Sequence, residues 1–534
     1  MTIFRSTYPD VNIPKDLSYT DFVFQNFHSY GDKVAIVDAT SDQQFTYKQI
    51  QQYTFAFAKN LQSQLNFRHG DVFGVLLPNL PWYAVIFHGI SSTGGASSTI
   101  NPIYTVEEIH KQLVDSRARF LVTIPMFLEN AIGAVPNTKV EKIFILSPDK
   151  VKEEGKVYDF KRLLAPPKDN KPLNVKVNPL EDPVVIPYSS GTTGLSKGVV
   201  LTHYNLIANI LQIQATEPKP DPNDVDSGIL PYFHCYGMLI MNYGLFRGVK
   251  MVNFSKFDFV VFLQSVQKFK ITHAALVPPI ILGLAKEPVV DKFDLSSLKA
   301  LISGAAPLGP QLTELAMNRL KCPIKQGYGM TELSPSVSGT PDHNVKPGFC
   351  GLLLPNVECK VLSTEDGQGK RKLLGPNEEG EICFRGPMVM KGYLMNEKAT
   401  KETIIDGWLH SGDTGFVDEQ GWLKVVDRVK ELIKYKGFQV PPAELEALLL
   451  KHESVADCAV IGVPDEEAGE IPKAFVVKKK QDLTADDVMN YVSEHVNSRK
   501  KVRMVEFIDV IPKSATGKIL RRMLRDRPAT QSKL

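Results

Sequence analysis

Short apolar runs alternate with amphipathic stretches from the N-terminus to the region of Trp422. Three of these runs, 72–77, 120–124 and 274–277, are almost wholly apolar and too short to be typical helices. Such runs are typical of buried strands, and the amphipathic stretches between them are typical of helices that cover a sheet. The alternation predicts a layered α/β architecture.

The pattern changes at two later points. From Gly351 onward the strands become shorter and glycine turns more frequent, as in 379–386, which predicts a smaller β-rich unit. Near Trp422 a charged segment, 427–431, leads to a helix expected at 442–451 that begins with proline. We therefore place a domain boundary after residue 426, and the pattern beyond it predicts a small α+β domain at 431–534.

Length and composition narrow the class of protein. The chain has 534 residues, more than one hydrophobic core usually organises, so two or more domains are expected. The net charge is only +3 and no long basic run indicates a nucleic-acid partner. The six cysteines include no Cys-x-x-Cys pair, which favours free thiols over a zinc knuckle or redox dithiol. No apolar run reaches the roughly 20 residues that cross a bilayer, and no secretory core is present, so we expect an intracellular protein without a transmembrane segment.

The last three residues are Ser532, Lys533 and Leu534. This tripeptide, when strictly terminal, is an address for import into peroxisomes. A coincidence in a polar tail is the alternative. For a eukaryotic source we expect the address to function, which predicts the peroxisome matrix as the location and the peroxisomal import receptor as a partner.

The segment 188–198, here called the phosphate-loop segment, combines hydroxyls, glycines and one lysine directly after an apolar run. The run 184–186 predicts a strand and Thr202 is suited to cap a helix, so we expect a loop between strand and helix. Glycines let backbone N–H groups approach phosphate oxygens, and Lys197 supplies a mobile positive charge. The spacing is not that of the common P-loop, because only two residues separate Gly191 from Gly194. A flexible surface loop is the alternative.

A second cluster, 326–332, places an aromatic ring, two glycines, a hydroxyl and a carboxylate within seven residues. Tyr328 is able to stack on a purine, and Glu332 offers the oxygen ligand that Mg²⁺ prefers. The alternative is a tight turn with a solvated carboxylate.

Two more clusters carry isolated charged groups. Asp413 lies close to two glycines in 407–415, and a carboxylate in such a turn can accept both hydroxyls of a ribose. Arg428 could reach the same sugar or a phosphate, and an interdomain salt bridge is an equal alternative. In 512–519, Lys518 lies on an expected loop from which it can swing into a cleft and neutralise developing charge, although most such lysines are only solvated.

Together and in this order, the four clusters resemble those of the adenylate-forming superfamily, from about residue 20 to the C-terminus. The likeness is strongest to the branch of 4-coumarate:CoA ligases and beetle luciferases, and the stretches 303–308, 386–393 and 427–440 support it. The resemblance implies a large N-terminal domain, 1–426, with two αβ layered subdomains and a small β-barrel-like subdomain. It also implies a hinge at 427–430 that includes Lys430, followed by a small mobile α+β domain at 431–534.

The resemblance implies that the protein uses ATP and Mg²⁺ to convert a carboxylic acid to an acyl-adenylate and pyrophosphate, then transfers the acyl group to coenzyme A. A carboxylate is a poor electrophile because its two oxygens share the negative charge, and adenylation supplies AMP as a good leaving group. Thr192 and Glu332 are implied to hold the magnesium ion. The implied nucleotide contacts are Ser189, Ser190, Gly191, Thr192, Thr193, Gly194 and Lys197 at the phosphates, Ala305, Ala306, Gln326, Gly327 and Tyr328 at the adenine, Thr331 at the α-phosphate, and Asp413 with Arg428 at the ribose.

The resemblance also assigns two lysines of the small domain to separate half-reactions. Lys518 resembles the adenylation lysine, which bridges the acyl oxygen and the α-phosphate. Lys434 and Gln439 resemble residues that act in thioester formation, after the small domain has rotated. The residues that resemble coenzyme A contacts are Lys256, Lys436 and Gly437.

The segment 232–240 resembles the lining of the acid pocket. His234 matches a position beside the substrate carboxylate, although a histidine in an aromatic stretch is more often a core residue. The implied substrate contacts are His234, Tyr236, Gly237, Met238, Ile240, Gly304, Met330 and Leu333. Ile240 and Leu333 are larger or more apolar than the residues that plant hydroxycinnamate ligases carry at these positions, which favours a more apolar substrate. We expect a medium- or long-chain fatty acid, with a 4-coumarate-like aromatic acid as the alternative.

Three rival functions follow from the same residues. A luciferase-like monooxygenase performs the same adenylation step with the same motifs, so the sequence does not exclude it. An amino-acid-activating module that loads a carrier is disfavoured, because the chain ends shortly after the lysine loop. An inactive binding scaffold is disfavoured because Lys197, Glu332, Asp413 and Lys518 are all present.

Overall fold

The computed structural model describes residues 2–167, 173, 175–189, 196–363, 371–436, 438–514 and 517–527. Within these ranges the strands form four sheets. No helix in this part of the chain combines the length and the apolar composition that a membrane crossing requires. All six cysteines are free thiols, as predicted, and only Cys350 is partly exposed.

Two nine-stranded sheets form the two αβ layered subdomains. The first has the strand order Tyr188–Ser189, Lys197–Thr202, Pro183–Val185, Ala96–Thr99, Val72–Val75, Phe120–Thr123, Lys142–Ile145 and Val157–Asp159, with Gly392–Tyr393 paired to Lys197–Thr202. The second has the strand order Leu352–Leu353, Ser336–Gly339, Ile324–Gly329, Ala300–Ser303, His273–Leu276, Val225–Gly228, Lys250–Asn253, Val34–Asp38 and Gln44–Thr46. The central pairings of both sheets are parallel, as the predicted α/β class requires.

Helices pack on these sheets and enclose a core that both sheets share. The largest apolar cluster contains Val75 and Val199 from the first sheet together with Ile36 and Met251 from the second. The described helices that precede the C-terminal domain are Tyr19–Phe24, Phe27–Tyr30, Tyr47–Leu65, Trp82–Ser92, Val106–Ser116, Leu128–Ala134, His203–Gln214, Cys235–Arg247, Phe259–Phe269, Pro278–Lys286, Pro310–Leu320 and Glu397–Thr403. The shared core explains why the two layered subdomains form one large domain.

The phosphate-loop segment joins two antiparallel strands, Tyr188–Ser189 and Lys197–Thr202. The prediction that a loop connects a strand directly to a helix here is therefore wrong, because the strand Lys197–Thr202 lies between the loop and the helix. The second strand forms because its backbone pairs with a strand on each side, and the helix His203–Gln214 begins after it. The cap itself is confirmed, since Thr202 Oγ1 accepts from the Asn205 N–H at 3.2 Å and Asn205 Oδ1 accepts from the Thr202 N–H at 3.0 Å.

A six-stranded sheet forms the predicted β-rich subdomain. Its strands are Phe4–Arg5, Glu358–Leu362, Gly380–Arg385, Trp408–Val417 and Ile404–Ile405, with Leu423–Arg428 paired to Trp408–Val417. Its first strand comes from the N-terminus, a long-range pairing that no local pattern predicts. The strand Leu423–Arg428 crosses residue 426, so the first two residues of the predicted hinge belong to this sheet.

A five-stranded sheet and three helices form the C-terminal α+β domain. The strands are Phe438–Val440, Ile433–Tyr435, Gly469–Lys478 and Val455–Asp465, with Met504–Phe507 paired to Gly469–Lys478, and the helices are Pro442–Leu449, Ala485–His495 and Arg521–Arg525. Its main core is separate from those of the large domain. The division 1–426, 427–430 and 431–534, with rotation at the hinge, stays a prediction.

Asn79 connects the two layered subdomains. Its Nδ2 donates to the carbonyl oxygens of Gly228 at 2.9 Å and Leu230 at 2.8 Å, and its Oδ1 accepts from the Tyr232 N–H at 2.8 Å. Asn79 is only 5% exposed, so these bonds are shielded from water. It therefore fixes the segment that leads to His234.

Replacing Asn79 with Ala leaves three backbone groups without these partners, and an unpaired buried polar group costs about 1–3 kcal/mol. We expect the free energy of unfolding to fall by about 3 kcal/mol or more, measured by urea denaturation. Gln52→Ala removes an exposed amide from the helix Tyr47–Leu65 and is the matched control, with an expected change below about 0.5 kcal/mol. Equal stability of the two variants would contradict the role of Asn79.

Candidate active site

The described ends of the phosphate-loop segment form a hairpin. Ser189 pairs with Lys197 across the two strands, and the Tyr188 hydroxyl donates to Asp115 Oδ2 at 3.1 Å. Residues 190–195 lie outside the described residues. The predicted phosphate contacts that fall there are Ser190, Gly191, Thr192, Thr193 and Gly194.

The Glu332 carboxylate lies beside this hairpin. Ser189 Oγ donates to its Oε1 at 2.8 Å, and the Tyr393 hydroxyl donates to the same oxygen at 2.9 Å. The Lys197 Nζ lies 4.8 Å from the centroid of the Tyr393 ring. The structure thus brings together Ser189, Lys197 and Glu332, and it adds Tyr393, which the sequence analysis used only as part of a supporting stretch.

The other side of Glu332 suits a divalent cation. Among the described residues, both recorded hydrogen bonds to this carboxylate end on Oε1 and none ends on Oε2. A carboxylate oxygen is a ligand that Mg²⁺ prefers, and Mg²⁺ usually keeps several waters and binds phosphate oxygens as well. Glu332 therefore fits the predicted magnesium role, whereas the second predicted ligand, Thr192, lies outside the described residues.

Tyr328, Asp413 and Arg428 form a second group. The Tyr328 hydroxyl donates to Asp413 Oδ2 at 2.5 Å, and Arg428 Nε lies 3.5 Å from Asp413 Oδ1. Asp413 and Arg428 face each other on neighbouring antiparallel strands. Burial raises the pKa of Asp413, and the Arg428 guanidinium opposes that rise. The turn before Asp413 is held by Glu381, whose Oε1 accepts from the Gly412 N–H at 3.1 Å.

The predicted adenine wall lies next to Tyr328. Gln326 is buried, and its Oε1 accepts from the Leu308 N–H at 3.3 Å, which fixes the segment 303–308 against the strand that carries Tyr328. Ala305 has a φ of +68° and is exposed, and Ala306 is partly exposed. Gly327 is also partly exposed, so this wall of the site is accessible to a planar ligand.

Lys518 enters this site from the C-terminal domain. At its neighbour Gly517, a Cβ would lie 3.6 Å from Val277 and 3.8 Å from Pro279, so the lysine loop packs on the large domain. Burial lowers the pKa of Lys518 to about 8, and repulsion from Arg428 adds to that effect, while attraction to Asp413 opposes it. The lysine therefore faces the same pair, Asp413 and Arg428, that was predicted to hold the ribose.

His234 caps the helix Cys235–Arg247, and Thr331 contacts the first residue of this helix. In the cap, His234 Nδ1 accepts from the Tyr236 N–H at 3.4 Å. Burial lowers the pKa of His234 to about 4, with a further effect from Lys518, so the imidazole is neutral near pH 7. Cys235 Sγ lies 3.4 Å from Thr331 Oγ1, a contact that the sequence analysis missed.

Four of the predicted acid-pocket residues keep accessible surface, namely His234, Tyr236, Ile240 and Met330. His234 and Tyr236 lie deep in the protein but keep some accessible surface. This combination is typical of residues that line an internal cavity. Gly304 lies directly against Tyr236, since a Cβ there would come within 2.8 Å of the ring carbon Cε1. These residues together can form one side of a cavity for an apolar group.

The other three predicted lining residues are packed in cores. A Cβ at Gly237 would lie 2.3 Å from the Pro231 carbonyl oxygen, so this glycine permits a close backbone approach. Met238 belongs to the largest core, and Leu333 is fully buried in the core of the β-rich subdomain. Their packing alone accounts for their apolar character, and a role in lining the pocket stays a prediction.

The residues predicted to act in thioester formation lie on the surface. Lys434, Gln439, Lys436 and Lys256 are all exposed, and Lys436 pairs with Glu467. Gly437 lies outside the described residues. In the described ranges, no hydrogen bond or ion pair connects Lys434, Lys436 or Lys256 with Asp413 or Lys518, and their roles in thioester formation stay predictions.

Two family models match the chain. The model of AMP-binding enzymes covers residues 23–394, and that of the AMP-binding enzyme C-terminal domain covers residues 444–518. A probable 4-coumarate–CoA ligase 1 of Dictyostelium discoideum is 43% identical over 98% of this chain and 98% of its own. The 4-coumarate–CoA ligase 1 of Petroselinum crispum is 41% identical over 99% of this chain and 97% of its own.

Solved structures share the fold. The anthranilate CoA ligase AuaEII in complex with anthranoyl-AMP matches with a TM-score of 0.86 at 26% identity, over 96% of this chain and 97% of that chain. ATP-bound MatB from Rhodopseudomonas palustris matches with a TM-score of 0.83 at 25% identity, over 95% of this chain and 98% of that chain. These matches confirm the predicted α/β fold class with its C-terminal domain. Since the first family model alone spans more than half of the chain and the relatives match almost end to end, the protein belongs to the AMP-binding enzyme family of the adenylate-forming superfamily.

Proposed function

We propose that this protein, an AMP-forming acid:CoA ligase, activates an acid with an apolar body, of the fatty or the cinnamic type, and transfers it to coenzyme A. One observation carries the proposal. Lys518 comes from the C-terminal domain, yet it is partly buried where its loop packs on the large domain, close enough to Asp413, Arg428 and His234 for their charges to interact. The names of the relatives, 4-coumarate–CoA ligases at 41% and 43% identity, support the same class of reaction.

In the first step an acid carboxylate oxygen attacks the α-phosphorus of ATP, and the bond to pyrophosphate breaks. The Lys518 ammonium faces the site where negative charge builds on the α-phosphate and the acyl oxygen, and preorganised charge of this kind contributes a few kcal/mol. In this proposal Asp413 accepts the ribose hydroxyls, and Lys197 binds on the pyrophosphate side. Mg²⁺ held by Glu332 would neutralise phosphate charge.

In the second step the sulfur of coenzyme A attacks the acyl carbon, and AMP leaves. In this proposal the thiol approaches the acyl carbon past His234, whose imidazole is neutral near pH 7 and therefore adds no charge there. Lys434 is exposed here, so its proposed part in this step requires the small domain to rotate after adenylation.

The proposed acid class is supported by the accessible side chains of the cavity. Tyr236, Ile240 and Met330 present rings and aliphatic groups, and Ile240 offers no hydrogen-bond partner. Among these lining residues only the Tyr236 hydroxyl and the His234 imidazole offer hydrogen bonds, and a substrate hydroxyl that reaches neither stays unpaired, which costs binding energy. This favours a fatty acid or unsubstituted cinnamate over 4-coumarate.

Pyrophosphate release across fatty, cinnamic and benzoic acids, with and without coenzyme A, tests the acid class. We expect kcat/KM for cinnamate or a medium-chain fatty acid to exceed that for 4-coumarate by about tenfold. Ile240→Ser should narrow this ratio, and Ile103→Ser at an exposed site is the matched control. Absence of pyrophosphate release with every acid would overturn the proposed function.

The pH dependence of pyrophosphate exchange tests the Lys518 ammonium. Since burial lowers the pKa of Lys518 from 10.5 to about 8, the charged form is present below that pH and lost above it. We expect kcat to fall to half at about pH 8. Lys518→Arg stays charged throughout, so it should be slower and lack this alkaline decline. A wild-type rate that stays constant to about pH 10 would contradict the assignment.

Separate assays of the two half-reactions test the division between the two lysines. Lys518→Ala should lower pyrophosphate exchange by about 100-fold or more but spare thioester formation from supplied acyl-adenylate. Lys434→Ala should show the reverse pattern, and Lys479→Ala, at an exposed site of the same domain, should show neither loss. Equal loss of both half-reactions in either variant would contradict the division.

Two predictions stay open to direct observation. Light emission on adding ATP and luciferin would support the luciferase-like alternative. The peroxisomal address, 532–534, lies outside the described residues, and fluorescence microscopy of the full chain with and without this tripeptide tests it.

A further inference from the structure

We propose that Tyr393 is a positioning residue that presents Glu332 to the metal ion and Lys197 to the phosphates of bound ATP. The inference rests on the proposed function, because it assumes that the site takes a metal–ATP complex. Tyr393 belongs to a short strand far along the chain from both residues. Its two ends, the hydroxyl and the ring, contact different members of the phosphate site.

The hydroxyl of Tyr393 selects one carboxylate oxygen. It donates to Glu332 Oε1 at 2.9 Å, and Ser189 Oγ donates to the same atom at 2.8 Å. Two donors on Oε1 fix the plane of the carboxylate and leave Oε2 as the oxygen that faces a cation.

The ring of Tyr393 holds the lysine. Lys197 Nζ lies 4.8 Å from the ring centroid, within the range of a cation–π contact. A lysine side chain has many rotamers, so a partner that restricts it lowers the entropy cost of placing its ammonium on a phosphate. The Tyr393 ring therefore restricts the position of the Lys197 ammonium, while the Tyr393 hydroxyl restricts the position of the Glu332 carboxylate.

Backbone pairing fixes Tyr393 in this position. It pairs with Val199, two residues after Lys197, and its N–H donates to Thr400 Oγ1 at 2.9 Å. On the side of Glu332, the Met390 N–H donates to the Glu332 carbonyl oxygen at 2.8 Å. The short strand thus joins the phosphate-loop hairpin to the turn that carries Glu332, which makes Tyr393 a rigid reference for both.

Two substitutions separate the two contacts. Tyr393→Phe keeps the ring and its packing but removes the donor to Glu332, whereas Tyr393→Leu removes both. Tyr158→Leu is the matched control, because Lys142 Nζ lies 4.6 Å from the Tyr158 ring at the far edge of the same sheet. The control thus loses a similar cation–π contact away from the proposed site.

The test measures Mn²⁺ binding by electron paramagnetic resonance, in the presence of a non-hydrolysable ATP analogue, and separately the KM for ATP. Tyr393→Phe should weaken Mn²⁺ binding by about tenfold with little change in the KM for ATP, because a bond to a charged group is lost. Tyr393→Leu should weaken Mn²⁺ binding similarly and also raise the KM for ATP about fivefold. Tyr158→Leu should change neither quantity.

The outcomes distinguish a failure of the inference about Tyr393 from a failure of the proposed function. Wild-type Mn²⁺ binding in Tyr393→Phe would overturn the inference about the hydroxyl, and equal KM values for the Phe and Leu variants would overturn the inference about the ring. If the wild-type protein exchanges pyrophosphate while these variants behave as the control does, only the present inference fails. If the wild type exchanges no pyrophosphate with any acid, the proposed function fails instead.

Discussion

The partial burial of one lysine ammonium, where the C-terminal domain packs on the large domain, is the constraint on which this site depends. Lys518 lies near Asp413 and Arg428, and burial lowers its pKa to about 8, so its ammonium is close to losing its charge near neutral pH. Desolvation of an ammonium is costly, and the attraction to Asp413 offsets part of that cost. The lysine loop packs on the large domain at Gly517, so the surroundings of Lys518 depend on how the two domains are oriented. Domain orientation and charge state are therefore coupled through a single side chain.

At the phosphate end, three elements that are distant in sequence meet at one carboxylate. The hairpin supplies Ser189 and Lys197, a short turn supplies Glu332, and an added strand supplies Tyr393. Sheet pairing sets their spacing, since Gly392–Tyr393 extends the same sheet that carries Lys197. The ribose end is built in the same way, because Asp413 and Arg428 are cross-strand neighbours in the β-rich sheet. Lys197, Tyr393, Asp413 and Arg428 thus lie on paired strands, and Glu332 lies on a short turn tied to them, which favours precise placement.

Local pattern predicted most of the elements and several of the site residues. The buried strands at 72, 120 and 274, the cap at Thr202 and the helix from Pro442 all follow from apolar runs and capping residues, which act over a few positions. The pairing of the N-terminal strand Phe4–Arg5 with Glu358–Leu362 could not be predicted in this way, because register between distant segments has no local signal. Asn79 and Tyr393 were missed for a similar reason. A single polar residue after a strand has no pattern of its own, and its importance appears only when its partners from another part of the chain are known.

The sequence by itself determined the chemistry that is available: the hydroxyls, glycines and lysine of 188–198, the carboxylates Glu332 and Asp413, and the terminal-domain lysine Lys518. Their order along the chain was enough to indicate the family, because each cluster is a contiguous run of residues. Only the tertiary structure decided which of these groups meet, that the described residues place their hydrogen bonds to the Glu332 carboxylate on Oε1, and that Gly237, Met238 and Leu333 pack in cores or against backbone. The physical reason is that distance, burial and the resulting pKa depend on long-range packing, and residues far apart in sequence carry no local record of the environment that they share.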